Sequence, residues 1–326
     1  MQNFEYANPK TLKEAGALLG SSWADAAVLA GGTDLISLMK DYVETPKRVV
    51  NIKGIKELGG ISKSGSGVRI GATATFDDLM NNAMIRSEFP AIAAAVRGVT
   101  SPQIRNMGTA GGDLLQRPRC WYYRNGFGLL AMQNGKSLVT EGENQYHAIF
   151  GSGPAYFVSA SSLGPALVAL GATVKLVSAS GSRDVPVNEL FVAPADANSR
   201  ETVLKPNEIL TEINIPAARG GKNATYEIRE REAVDWPVAA ASVSLRMKGN
   251  AIESGMVVLG HVAPTPWVAA EAGKMLAGKT ISEAVAEEIG KAAVAGAKPL
   301  SGNEYKVKLT SVAVKRALLA ASGAKA

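Results

Sequence analysis

The chain has 326 residues and a formal net charge of +6, with 46% hydrophobic and 20% charged residues. These values are ordinary for a globular protein, and the length favours two domains over one. No stretch approaches the roughly 18 consecutive apolar residues that cross a bilayer. The first twenty residues contain two glutamates and no long apolar run, so we expect neither a membrane anchor nor a signal peptide.

Charge and cysteine content narrow the classes of function. Most lysines and arginines have acidic residues interleaved among them, so no nucleic-acid partner is expected. The densest basic stretch, residues 117–124, alternates basic and aromatic side chains, as single-strand binders do. A loop packed on a neighbouring chain or on an adjacent glycine motif explains it better. The one cysteine, Cys120, excludes an intramolecular disulfide and suits a reducing compartment.

The N-terminal part predicts a strand–helix–strand unit. Residues 11–19 have the apolar spacing of a short helix, and residues 26–30 form an apolar run of strand length. A helix is expected from Asp34, because Leu35, Leu38 and Met39 follow at helical spacing. Residues 48–52 are again β-like, which completes a βαβ unit.

A first glycine motif lies in the turn between that strand and helix. Without a Cβ, Gly31 and Gly32 can take positive φ and direct successive N–H groups to one point. Such a point suits a phosphate, and the following helix would add its positive end. A plain tight turn is an equally good explanation of this octapeptide alone. The candidate binding residues are Val28, Leu29, Ala30, Gly31, Gly32, Thr33, Asp34 and Leu35.

A second glycine motif occurs at residues 104–115. It follows a predicted strand at 68–75 and predicted helices at 76–82 and 90–99. Two glycine pairs, each with a hydroxyl and a carboxylate nearby, are more informative than one. The candidate binding residues here are Thr109, Gly111, Gly112 and Asp113.

The rest of the chain predicts further strands and then a second domain. Strands are expected at 156–159 and 172–178, after the turn at 180–184, and at 208–215, with an irregular loop from 125 to 147. Residues 217–222 predict a linker. Two apolar strands, 238–247 and 251–262, and helices at 266–276 and 281–295 follow. The predicted domains are residues 1–217 and 223–326.

Three other patterns in the sequence do not support a functional site. Residues 273–280 match the Walker A pattern, but the predicted helix 266–276 would contain its first glycine, whereas a phosphate loop leaves a strand and opens a helix. No Gly-x-Gly-x-x-Gly is present, so a Rossmann-type NAD site has no support. His147 and His261 are the only histidines, which excludes a multi-histidine metal site and argues against a serine triad. His261 lies in an apolar strand and is predicted to be a core residue.

The two glycine motifs resemble those of the flavin-binding medium subunits of the molybdenum hydroxylases, the family of the xanthine dehydrogenase, aldehyde oxidoreductase and carbon monoxide dehydrogenase complexes. The family's flavin loops read close to Ala-Gly-Gly-Thr-Asp-Leu and Thr-x-Gly-Gly-Asn-Leu, and the corresponding residues here are 30–35 and 109–114. Blocks at 229–232, 259–267 and 303–306 follow in the family's order.

The resemblance implies an α+β fold in which two α/β subdomains clamp FAD and a C-terminal domain combines a small antiparallel sheet with helices. It also implies partners: a large subunit with molybdopterin and a small subunit with 2Fe–2S clusters. Electrons would pass from the partner's clusters through FAD to an acceptor, while an aldehyde or N-heterocycle is oxidised in another chain. The expected location is cytoplasmic, or periplasmic if a partner carries an export signal. A self-sufficient FAD oxidase and a flavin-free scaffold subunit remain as alternatives.

Three positions depart from the family pattern. Asp113 replaces an asparagine and cannot donate a hydrogen bond as an amide does. Ser162 occupies the place of an aspartate that approaches the flavin. Cys120 resembles the first of four cysteine ligands that hold a four-iron cluster in one branch of the family, yet one cysteine cannot bind such a cluster, and a packed apolar cysteine is the alternative. Residues 117–124 are then a predicted docking face for the partner's cluster.

Overall fold

The structure, a computed structural model, describes residues 1–99, 101–151, 153–218, 220–232 and 234–323. Position 219 of the predicted linker and positions 324–326 of the predicted C-terminal domain lie outside the described residues. None of the helices in the described part of the chain is long and apolar enough to cross a membrane.

The first subdomain contains the predicted βαβ unit. Its three strands are all parallel, in the order β1-β3-β2, so one edge of β2 has no strand partner within the described residues. The first glycine motif joins β2 to α2. The elements are β1 (Glu5–Ala7), α1 (Leu12–Ala17), β2 (Ala26–Leu29), α2 (Leu35–Lys40) and β3 (Arg48–Asn51), followed by a 3-10 helix at Lys56–Leu58.

The second subdomain is built on a five-stranded antiparallel sheet with the order β4-β5-β10-β8-β9. Helices α3, α5 and α10 pack on it and supply much of the largest apolar core. The elements are β4 (Ile61–Ser64), β5 (Gly67–Gly71), α3 (Phe76–Asn81), α4 (Ala83–Glu88), α5 (Pro90–Gly98), α6 (Pro102–Met107), α7 (Ala110–Leu115), α8 (Trp121–Arg124), β6 (Met132–Gln133), β7 (Lys136–Ser137), α9 (Leu138–Glu141), α10 (Leu163–Ala169), β8 (Thr173–Ser178), β9 (Gly181–Pro186), α11 (Val187–Leu190) and β10 (Ile209–Ile215).

Two expectations for this region are wrong. Residues 156–159 form no strand, because they make only single backbone bonds, with Ala148 N donating to Tyr156 O and Ser159 N donating to Ala263 O. The predicted loop 125–147 contains the β6–β7 hairpin and helix α9.

The C-terminal part is a four-stranded antiparallel sheet, β11-β12-β13-β14, covered by three helices. Strand β11 was not predicted and begins inside the predicted linker, and the predicted helix at 266–276 starts only at Ala270 because two residues before it pair as β14. The elements are β11 (Lys222–Ile228), β12 (Ala239–Lys248), β13 (Ala251–Gly260), β14 (Trp267–Val268), α12 (Ala270–Met275), α13 (Glu283–Ala293) and α14 (Tyr305–Ser322).

This sheet and its helices enclose a core of their own, which includes Leu259, Ile289 and Leu318. The N-terminal part reaches into it at Ile149 and Phe150, whose N–H groups donate to Val262 O. The predicted core stripe on α13 is confirmed at Ile289, which is fully buried.

Candidate functional site

The two glycine motifs touch each other at their backbones. A Cβ built on Gly31 would lie 1.9 Å from the carbonyl oxygen of Met107, so no other residue fits there without moving the backbone. Positive φ was expected at either glycine of the first pair, but only Gly32 adopts it, at +74°. Gly31 therefore serves close approach, whereas Gly32 serves the turn.

The first glycine motif presents a run of backbone donors. Within the described residues, the N–H groups of residues 31–35 donate to no acceptor; the next N–H, that of Ile36, donates to Gly32 O. Unpaired backbone N–H groups are rare unless water or a ligand satisfies them, and a curved run of them makes an anion-binding concavity. Helix α2 has only six residues, so the loop rather than a helix dipole provides this feature.

Asp34 connects the first glycine motif to the basic stretch at 117–124. Although it precedes α2, its side chain makes no capping bond. Its carboxylate instead accepts from Arg117 N and from Arg124 Nη2, both at 2.8 Å, and lies 3.3 Å from Arg119 Nη1. The side chains of these three arginines are only 11–27% exposed. The basic stretch is thus an internal brace packed on the first motif, and a docking face in the surface around residues 117–124 stays a prediction.

The second glycine motif is the first turn of helix α7, capped by Thr109. Thr109 Oγ1 accepts from Gly112 N at 3.1 Å, and the N–H groups of Ala110 and Gly111 donate to carbonyls of residues 74 and 72. The N–H groups of residues 110–112 are thus already used, unlike those of the first motif. Gly111 lies against β5's end, where a Cβ would come within 2.9 Å of Ala72 Cβ.

Asp113 is a buried hydrogen-bond acceptor beside the second motif. Its carboxylate accepts from Ser161 Oγ, from Leu163 N at 2.9 Å, from Ser162 N at 3.3 Å and from Gln116 Nε2 at 3.0 Å. Burial raises the pKa of Asp113 to about 6, although the bonds from Ser161 and from the two N–H groups oppose the rise. The departure from asparagine therefore replaces a donor with an acceptor that holds residues 161–163 in place.

Ser162 lies beside a second buried carboxyl group. Ser162 is itself buried. The neighbouring carboxyl group is that of Glu227, whose charged form is favoured by a hydrogen bond from Ser162 and by an ion pair with Arg229. Burial nevertheless raises the pKa of Glu227 to about 7, and the charge of Asp113 adds to that rise. The side chains of Glu227 and Arg229 pack against Gly98. A Cβ built on Gly98 would come within 2.0 Å of Glu227 Oε2.

A cleft with two lobes opens on either side of the touching glycine motifs. The inner lobe lies between the two subdomain sheets, along the free edge of β2, and the outer lobe lies against the C-terminal part; their cavity volumes are about 200 and 390 Å³, together in the range of small-molecule sites. Thr33, Asp34, Thr109, Gly112 and Gln116 line both lobes.

The other walls of the lobes come from both expected and unexpected residues. Residues 28 and 30–35 line the inner lobe, whereas Asp113 and Ser162 line the outer one; Leu29 lines neither. Sequence reasoning missed several wall residues, because no local pattern marks them as convergent: Trp23 and Arg200 in the inner lobe, and Arg119, Arg229 and Trp236 in the outer lobe.

The remaining chemistry-bearing residues lie in packed surroundings. Cys120 Sγ is 3.1 Å from His147 Nε2, and burial raises the pKa of the Cys120 thiol and lowers that of His147 to about 4. His261 is buried as predicted. The first glycine of the Walker-like match, Gly273, lies inside α12, as predicted. Within the described ranges, no group of three or more His, Cys, Asp or Glu side chains is arranged to hold a metal ion.

Two domain families match the chain. Residues 2–218 match the FAD binding domain in molybdopterin dehydrogenase, and residues 224–321 match the CO dehydrogenase flavoprotein C-terminal domain. The carbon monoxide dehydrogenase medium chain of Hydrogenophaga pseudoflava is 31% identical over 98% of this chain and 96% of that protein. The aldehyde oxidoreductase FAD-binding subunit of Escherichia coli is 30% identical over 82% of this chain and 84% of that protein.

A solved structure agrees with these matches. Carbon monoxide dehydrogenase from Hydrogenophaga pseudoflava, in a form that lacks the Mo-pyranopterin moiety, superposes with a TM-score of 0.77 and 29% identity over 100% of this chain and 99% of that one. The chain therefore shares its overall fold with that structure. The chain belongs to the family of FAD-binding medium subunits of the molybdenum hydroxylases.

Proposed function

We propose that this chain binds one FAD across the two-lobed cleft and passes electrons through it. The observation that carries the proposal is the run of N–H groups at residues 31–35 that have no acceptor among the described residues, located where the two lobes meet. A pyrophosphate would satisfy these donors, and the two lobes would then receive the two ring systems that it joins. The candidate residues 28–35, Thr109, Gly111, Gly112, Asp113 and Ser162 are proposed as the binding set.

The outer lobe suits the isoalloxazine ring. It is the lobe that contains Ser162, the position at which the family approaches the flavin, and Trp236 at its mouth is 46% exposed. The guanidinium of Arg119 stacks on Trp236, with its carbon 4.3 Å from the ring centroid. A redox ring needs access to donors and acceptors at the surface, whereas the adenine ring does not. The inner lobe is therefore assigned to adenine.

The bound flavin would supply the electron-transfer chemistry, and this chain would position the flavin and set the electrostatic environment around it. Gly31 and Gly32 bring the backbone donors to the pyrophosphate, and Asp34 holds that loop through its bonds to the arginine brace. Asp113 fixes the turn at residues 161–163 beside the outer lobe. Arg119 and Arg229 also line this lobe, and each is paired there with a carboxylate, Asp34 and Glu227 respectively.

The relatives' names suggest the setting. A medium chain and a FAD-binding subunit imply further subunits, and we propose a large subunit with molybdopterin and a small one with 2Fe–2S clusters. Electrons would reach the flavin of this chain from the small subunit and leave to an acceptor, during oxidation of an aldehyde or N-heterocycle in the large subunit. We propose that residues 1–217 form the flavin domain and residues 223–326 the C-terminal domain, which the separate C-terminal core supports.

The decisive experiment is spectroscopy of the full chain purified alone. We expect the absorbance bands of bound flavin, release of FAD rather than FMN on denaturation, and no turnover of aldehydes or N-heterocycles with oxygen until the partner subunits are added. Steady-state turnover by the isolated chain would instead indicate a self-sufficient oxidase. A purified chain without flavin that also fails to take up added FAD would indicate a scaffold subunit.

A further inference from the structure

Trp23 and Arg200 form a stacked pair on the wall of the inner lobe. The guanidinium carbon of Arg200 lies 4.0 Å from the centroid of the Trp23 ring, well within the range of cation–π contact. Trp23 precedes β2 in the first subdomain, and Arg200 precedes β10 in the second. The pair therefore closes the inner lobe by joining its two sides.

The orientation of Arg200 is fixed by a charged network. Its Nη2 donates to Glu44 Oε1 at 3.3 Å, and the same oxygen pairs with Arg117, which also pairs with Glu201. The Arg200 side chain is 22% exposed, so one face of the guanidinium is covered while the lobe remains open to a ligand. This network presents a flat cation on a flat aromatic ring rather than a freely rotating surface arginine.

Next to this pair lies the edge of β2 that has no strand partner in the described part of the chain. Asp25 O and Leu29 O accept from β3 and its flank, so by strand alternation Val28 directs its N–H and C=O away from β3. Val28 also lines the inner lobe. Adenine carries an N6 donor beside an N7 acceptor, which complements one N–H and one C=O on a strand edge. Purines also stack on aromatic rings and on guanidinium planes.

We propose that Trp23 and Arg200 form an adenine clasp that makes this chain select FAD over FMN. The proposal rests on the proposed function and deepens it, because it assigns the residues that read the half of the dinucleotide that FMN lacks. The alternative is that the stacked pair only ties the two subdomains together. That alternative predicts that substitutions in the pair weaken FAD binding and FMN binding equally.

The test compares FAD and FMN binding by the full chain freed of flavin. Dissociation constants for both flavins are measured by equilibrium dialysis for the wild type and for Trp23→Ala, Trp23→Phe, Arg200→Lys and Trp236→Ala, with the melting temperature of each variant as a folding control. Competition by ADP is measured in parallel. Trp236→Ala is the matched control, because it removes an indole from the outer lobe.

For Trp23→Ala we expect FAD binding to weaken about tenfold or more, in line with the usual value of one base–aromatic stack, while FMN binding stays unchanged. ADP should compete with FAD in the wild type and lose that ability in this variant. Trp23→Phe should keep most of the preference for FAD over FMN. Arg200→Lys should lose part of that preference, since lysine keeps the positive charge but lacks the planar guanidinium. Trp236→Ala should weaken both flavins alike.

Two results would overturn the clasp. One is an equal loss of FAD and FMN affinity in Trp23→Ala, which indicates a tie between subdomains, and the other is no change for either flavin. Failure of the wild type to bind either flavin would be different, since it would refute the proposed function itself. If Trp23→Ala does not fold, the ratio of the two affinities in Trp23→Phe and Arg200→Lys decides the question.

Discussion

At the scale of single residues, Gly32 combines a left-handed backbone conformation, which only glycine adopts without strain, with a role at the proposed pyrophosphate site. Its φ of +74° is costly for any residue with a Cβ, by about 1–2 kcal/mol and more for a β-branched one. A Cβ would also come within 3.2 Å of Ile36 and Leu29 side-chain carbons. We predict that Gly32→Val abolishes FAD binding with only a moderate loss of stability, measured as flavin content per folded chain.

Gly278 offers a matched control for that variant. Its φ of +77° imposes the same backbone strain, but a Cβ there would meet nothing within 4 Å, and it lies beyond α12, away from both lobes. Gly278→Val should lower the melting temperature and leave the flavin content unchanged. Normal flavin content in folded Gly32→Val would contradict the site.

Asp113 should give the protein a distinctive pH dependence of stability. Its pKa rises on folding from 3.8 to about 6, so the folded state binds the proton more tightly than the unfolded state. Stability then falls as pH rises through this window, by roughly 3 kcal/mol for this group in full. The pKa of Glu227 is raised to about 7, so this group also lowers stability as pH rises and extends the fall to higher pH.

We predict that Asp113→Asn flattens the fall of melting temperature between about pH 4 and pH 6, because the amide does not titrate. Asp184→Asn, at an exposed position on β9, is the control and should leave the slope unchanged. An unaltered slope in Asp113→Asn would mean that Asp113 ionises alike in the folded and unfolded chain.

At the scale of elements, apolar periodicity predicted most of the helices and strands that carry a continuous buried stripe. Strand β11, with the sequence Lys-Asn-Ala-Thr-Tyr-Glu-Ile, was missed because its polar residues are satisfied across the sheet, as when Thr225 bonds Ser242 at 2.7 Å. The sequence does not predict helix α7, because two glycines disfavour helix formation; the Thr109 cap and packing on Ala72 outweigh that preference.

Helix α14 contains a buried lysine that bonds the backbone carbonyls of neighbouring segments. Lys306 is fully buried, and its Nζ donates to the carbonyls of Tyr146, His147 and His261 at 2.8–3.1 Å. Burial lowers the pKa of Lys306 to about 7, while three accepting carbonyls favour the ammonium form. The bonds fasten α14 to the segment before residue 148 and to the turn at His261, where φ is +61°.

We predict that Lys306→Met lowers the free energy of unfolding by about 3 kcal/mol, since it removes the donor to the carbonyls of Tyr146 and His261, whereas His147 O keeps its bond from Asn303 Nδ2. Lys308→Met, an exposed position on the same helix, should change it by less than about 0.5 kcal/mol. Equal effects of the two variants in denaturant titrations would show that the three bonds contribute nothing.

At the scale of the whole molecule, the glycine motifs were predictable but the frame around them was not. Spacing along the chain predicted a binding loop at residues 28–35, whereas the contact between Gly31 and Met107 joins segments that only the fold brings together. The same holds for the arginine brace: sequence showed alternating basic and aromatic residues, and only the structure shows that Asp34, Glu44 and Glu201 neutralise them internally.

The surroundings of Cys120 bear on how electrons enter the chain. The thiol packs beside an apolar cluster that contains Leu38 and Phe157, and its polar neighbours include His147 and the backbone of Tyr122 and Tyr123. Burial raises the pKa of the thiol, which disfavours the thiolate that an iron cluster requires. These contacts favour the packed apolar cysteine over a surviving cluster ligand.

We therefore predict that the isolated chain contains no stoichiometric iron and that Cys120→Ala, in the complex assembled with its partners, keeps every cluster signal in electron paramagnetic resonance. The variant should cost about 1 kcal/mol of stability, because the alanine leaves only a small cavity, and flavin reduction by substrate should proceed at the wild-type rate. Stoichiometric iron in the isolated chain, or loss of one cluster signal in the variant, would identify Cys120 as a ligand. Unchanged signals together with unchanged reduction would mean that electrons reach the flavin from a partner's cluster without passing through a metal site in this chain.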